Sequence, residues 1–97
     1  MYKRTTTFSL PEGSTSTHYV HSSAHCESFS TVYPEDRLYG DRYLSEDGRD
    51  WTTIQIWSSR EAYTAYTLTP AAQEEFKLRN QYNTTHGITR LIVEEDI

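Results

Sequence analysis

The stretch Trp51-Thr52-Thr53-Ile54-Gln55-Ile56-Trp57-Ser58 leaves neither of its sides plainly polar. In an extended chain successive side chains point to opposite faces. Ile54 and Ile56 therefore share one face, and Trp51, Thr53, Gln55 and Trp57 share the other. A sheet with one face in water does not carry large groups on both, so both faces of this strand are expected to be covered. That demand is hard to meet within 97 residues, of which Leu, Ile, Val and Phe make only 17. A fraction below roughly 20% borders on disorder. A net charge of only -5, with eight Tyr and two Trp, argues for a fold instead. Each aromatic buries about 150–250 Å² and replaces several aliphatics. The reading is one folded domain over 1–97 with a thin core, part of which a partner should supply.

The other elements follow from pattern. In residues 2–10, Tyr2, Arg4, Thr6, Phe8 and Leu10 alternate with Lys3, Thr5, Thr7 and Ser9, which predicts a strand ended by Pro11-Glu12-Gly13. Residues 15–33 are expected to be a helix, because His18, His21, His25, Phe29 and Val32 recur at helical spacing, and Pro34 stops it. Arg37 to Leu44 reads as a strand that returns through Ser45-Glu46-Asp47-Gly48. Ser58-Ser59-Arg60-Glu61 has the form of a capping box, with Ser58 expected to accept from the backbone of residue 61. Thr69-Pro70 restarts the helix, which ends at His86-Gly87; its stripe is expected at Ala71, Leu78 and Tyr82, with Ala72 and Phe76 beside it. Ile88 to Ile97 is the last strand. The order βαββαβ predicts an α+β, ferredoxin-like sandwich: four antiparallel strands, the first and third central, and two helices on one face.

Several functions are disfavoured at once. No apolar run approaches the 18 or so residues of a membrane span, and Thr5-Thr6-Thr7-Phe8 is not a signal core, so a cytoplasmic protein is expected. A single cysteine, Cys26, fits a reducing compartment and reads as a buried, inert thiol. Nine basic residues, scattered against 14 acidic ones, give no footprint for nucleic acid. There is no phosphate-binding glycine loop, no Cys-x-x-Cys and no nucleophile elbow.

The candidate chemistry rests on histidines and aromatics. His21 and His25 can supply proton transfer with a pKa near neutrality, and His18 lies on the same arc as a ligand contact. Their spacing also suits a shared metal, but no third ligand is evident, so no metal or other cofactor is assigned. Exposed or hydrogen-bonded core histidines are the plainer alternative. Trp57, Tyr63, Tyr66 and Tyr82 can wall an aromatic pocket or simply form core and subunit interface. His86, in the last helical turn, reads as a partner of the helix dipole.

Leu44-Ser45-Glu46-Asp47-Gly48, the Trp51–Trp57 strand, Ser59-Arg60-Glu61-Ala62-Tyr63 and the Pro70–Tyr82 helix ending at Gly87-Ile88 resemble the dimeric α/β-barrel superfamily, closest to antibiotic-biosynthesis monooxygenase-like domains. The resemblance covers roughly residues 38–97. It implies a homodimer with sheets packed face to face, a small aromatic or planar ligand between helices and sheet, and a cofactor-independent monooxygenase or isomerase activity. Haem-degrading members use an Asn on the first strand, where this chain has Thr5, Thr6 and Thr7. A non-catalytic dimerisation module with a closed core is the alternative from another class, and a helix-borne histidine metal site a weaker one.

Overall fold

The computed structural model describes residues 1–13 and 35–97. The helix expected over 15–33, with His18, His21, His25 and Cys26, lies outside the described residues. Four strands, β1 (Tyr2–Ser9), β2 (Arg37–Leu44), β3 (Asp50–Trp57) and β4 (Thr89–Asp96), form one antiparallel sheet in the order β2-β3-β1-β4. β1 and β3 are central, as the ferredoxin-like reading requires. Two helices, α1 (Arg60–Thr67) and α2 (Pro70–Thr85), connect β3 to β4.

Local chemistry sets the boundaries. In the β2–β3 hairpin, Gly48 sits at φ +74°, and its N–H donates to the Ser45 carbonyl at 3.0 Å. The Ser45 hydroxyl donates to Asp47 Oδ1 at 2.6 Å, and the Asp47 carboxylate also accepts from the Arg49 N–H at 3.1 Å. The cap of α1 is Ser59, one residue later than expected: its hydroxyl accepts from the Ala62 N–H at 3.0 Å. Ser58 is drawn instead to Asp36, to which its hydroxyl donates at 3.2 Å. Thr69 ends α1 and starts α2, donating to the Tyr66 carbonyl at 2.8 Å and accepting from the Ala72 N–H at 3.3 Å. It precedes Pro70, which biases it to the extended backbone it adopts. α2 closes in a Schellman motif: Ile88 N–H donates to the Asn83 carbonyl at 2.8 Å and Gly87 N–H to that of Thr84 at 3.4 Å.

The inner face of α2 also differs from the expected stripe. Ala71 and Leu78 are exposed, whereas Ala72 and Asn83 are buried and Phe76 and Arg79 half-buried. The inward row thus contains an arginine and an asparagine, which a reading weighted by hydropathy places outside.

The register assigns every strand residue to a face. Tyr2, Arg4, Thr6 and Phe8 of β1 lie with Trp57, Gln55, Thr53 and Trp51 of β3 and with Glu94, Ile92 and Arg90 of β4. Both helices pack on this side. Tyr2, Trp57, Tyr66 and Ala72 form one buried cluster, against which Tyr63 and Phe76 pack. Phe8, Leu10 and Ile88 form a second, flanked by Trp51 and Tyr82. The opposite face carries Thr5, Thr7, Thr52, Ile54, Ile56, Tyr39, Tyr43, Leu91 and Val93. Neither α1 nor α2 reaches it. Leu91 is 65% exposed, and Tyr39, Tyr43 and Val93 about half exposed.

Candidate functional site

Between the helix-facing side of the sheet and α2 lies a cavity of about 50 Å³. Strand alternation brings Arg4 and Gln55 side by side on β1 and β3, since the two are register partners. Arg90 enters from β4 beside Phe8, its own register partner. Arg79 and Asn80 descend from α2, and Tyr63 of α1 and Phe76 of α2 supply aromatic wall. Thr6, Thr53 and Phe8 complete the floor.

The arginines are held by aromatic faces as well as by charge. The Arg4 guanidinium sits 4.9 Å from the centre of the Tyr63 ring, and that of Arg79 5.9 Å from Phe8. Arg4 also donates to Glu94 Oε1 at 2.9 Å and to the Tyr2 hydroxyl at 3.2 Å. Tyr2 in turn donates to the same Glu94 oxygen at 2.5 Å. On the solvent side Arg60 covers the Tyr2 ring at 4.5 Å and meets Glu94 at 3.4 Å and Asp96 at 3.5 Å. One carboxylate, Glu94, thus ties β1, α1 and β4 together beside the cavity. The hydrogen bond from Tyr2, with those from the arginines, holds Glu94 below the usual carboxylate range. Burial raises the Tyr63 phenol, with Arg4 opposing, so Tyr63 stays protonated and able to donate well above neutrality.

The residues expected from sequence separate into groups. Tyr63 lines the cavity. Trp57 and Tyr66 stack behind it at 5.1 Å, with Trp57 5.5 Å from Tyr63, and form the core that positions that wall. The Trp57 indole N–H donates to Gln55 Oε1 at 3.1 Å, which links the core to the cavity lining. Tyr82 packs in the second cluster with its ring 4.3 Å from His86, the C-cap of α2. Burial raises the Tyr82 phenol. His18, His21 and His25 lie outside the described residues. Among the described residues, no group of three His, Cys, Asp or Glu is placed to hold a metal.

The inward arginines are what sequence reasoning missed. The signal was present: Arg4 has the parity of Tyr2 and Phe8, and Arg90 that of Ile92, so each is a charge on the helix-facing side of its strand. Arg79 follows Ala72 and Phe76 on one helix face.

No family model and no curated protein matches this sequence. Its fold, however, is widely shared. An antibiotic biosynthesis monooxygenase superposes with a TM-score of 0.73 over 100% of this chain and 98% of that one, at 15% identity. SnoaB, a cofactor-independent oxygenase from Streptomyces nogalater, gives 0.74 over 99% and 91%, at 10% identity. A conserved protein of unknown function from Bacteroides thetaiotaomicron gives 0.76 over 99% and 96%, at 9% identity. At such identities the likeness is one of architecture: the chain has the ferredoxin-like fold of the antibiotic-biosynthesis monooxygenases. Fold alone does not carry an activity from one chain to another.

Proposed function

We propose that this protein is a homodimer whose subunits bind a small planar organic molecule in the cleft between helices and sheet, and that it oxygenates that molecule without a cofactor. The observation that carries the reading is the cavity walled by Tyr63 and Phe76, with polar groups converging on it from three strands and a helix. Seven of its ten lining residues are polar, and Phe8, Tyr63 and Phe76 give the aromatic surface on which a planar group can rest. Trp57 and Tyr66 serve as its supporting wall, Tyr82 as a more distant one, and His18, His21 and His25 remain the proposed contacts and proton-transfer groups. Oxygenation without a cofactor must draw its electrons from the substrate, so an electron-rich, hydroquinone-like ring is the natural class.

The dimer rests on the sheet face that α1 and α2 leave open. Four strands of eight residues present a flat area of roughly 500 Å² per subunit from strand spacing and rise. Two such faces together reach about 1,000 Å², the lower bound for a specific interface. Ile54 and Ile56 at its centre, flanked by Tyr39, Tyr43, Leu91 and Val93, give it the apolar middle that stable homodimers have.

Dioxygen uptake with a hydroquinone-type substrate, above the rate without protein, tests the activity. Uptake that stays at the uncatalysed rate across such substrates refutes it. The second reading, a dimerising module without catalysis, is favoured by the size of the cavity, about a third of one that holds benzene.

A further inference from the structure

Three of the seven arginines line this cavity: Arg4, Arg79 and Arg90. No Asp or Glu lines it, in a chain whose net charge is -5. Arg4 and Arg79 are half-buried and Arg90 is exposed, so positive charge gathers at this cavity in a chain of net negative charge. Among the described residues, two carboxylates stand near these arginines. Arg4 meets Glu94 at 2.9 Å but shares it with Arg60. Glu75 lies one turn before Arg79 on α2, a spacing at which the two can pair. Arg90 makes no ion pair among the described residues.

The geometry draws two of these cations together. Arg90 is the register partner of Phe8, and Arg79 lies over the Phe8 ring. Same-face partners across a strand pair have Cβ atoms roughly 5 Å apart, so Arg90 starts beside Phe8, and it and Arg79 both line the cavity. Guanidinium forks match a carboxylate in two parallel hydrogen bonds. A volume of about 50 Å³ is too small to enclose an aromatic ring. It is about a third of the cavity that holds benzene, and a group of a few heavy atoms such as a carboxylate fits it.

We infer that this cavity recognises an oxyanion, and that the ligand class is a small planar organic acid. Its carboxylate enters between Arg79 and Arg90, and its ring lies across Tyr63 and Phe76 at the mouth. The inference rests on the planar-ligand reading above and narrows it to acids.

Titration calorimetry of the full chain at low salt with benzoate, benzamide and hydroquinone tests it. Benzoate is expected to bind, to weaken about tenfold or more in Arg90→Gln and in Arg79→Gln, and to weaken as salt is raised. Lys77→Gln, which removes the same charge from the exposed side of α2, should leave binding unchanged. Circular dichroism establishes that each variant is folded. Equal binding of benzamide and benzoate, or equal affinities in Arg90→Gln and Lys77→Gln, overturns the inference. Binding of hydroquinone without benzoate overturns it while leaving the planar-ligand reading intact. Binding of none of the three overturns both.

Discussion

Glu94 shows how much one exposed side chain can organise. It accepts from Tyr2 and from two arginines on different elements, and its pKa is lowered, first by the Tyr2 hydrogen bond. A depressed folded pKa contributes stability above the ordinary value near 4.5, and that contribution is lost as pH falls through the folded value. Glu94→Gln should therefore lower the urea midpoint at neutral pH and flatten its decline between about pH 6 and pH 3. Denaturation series of both proteins across that range measure it; parallel curves would contradict it. Tyr2 gives the opposite limb. Its phenol is raised by burial and then by Glu94, so the fold holds the proton past the ordinary value of 10.0 and loses stability above it, where the unfolded phenol ionises. Trp57, 2% exposed, anchors the larger cluster, and Trp57→Ala is expected to cost about 3–5 kcal/mol, read by the same denaturation. The aromatic positions were legible in the sequence because size and alternation mark them. The arginines of the cavity were marked only by parity: charge argues for solvent, and only the register shows their partners.

At the scale of elements, caps and turns were read almost to the residue, since each depends on a few consecutive side chains. Thr69-Pro70 and His86-Gly87 act where their chemistry placed them. The start of α1 did not: two adjacent serines were equally able to cap, and the choice fell to Asp36, a residue on a different segment, which engages Ser58. Ser59→Ala is accordingly expected to cost about 1 kcal/mol. Ser58→Ala, an exposed bond to an exposed carboxylate, should cost roughly half that or less. Chemical denaturation of the pair decides which serine caps. Gly87 at φ +67°, with Pro11 Cγ 3.2 Å from where a Cβ would stand, should tolerate alanine poorly, at about 1–2 kcal/mol.

Among the described residues, the two sides of the sheet differ. One side is packed under α1 and α2; the other presents Ile54, Ile56 and their neighbours. Ile54→Lys should leave the helix-packed side and its circular dichroism intact while shifting sedimentation at micromolar concentration from dimer to monomer. A wild-type chain that sediments as a monomer would refute the dimer outright. By itself the sequence determined the strands, the helix restart and the demand that both sheet faces be covered, because alternation, caps and turn residues act over a few positions. Only the tertiary structure decided which face the helices take and which arginines meet. Those outcomes depend on strand register between segments more than 35 residues apart, such as Arg4 with Gln55 and with Glu94. No local propensity encodes that pairing; it follows from packing the aromatic side of β1 and β3 beneath α2.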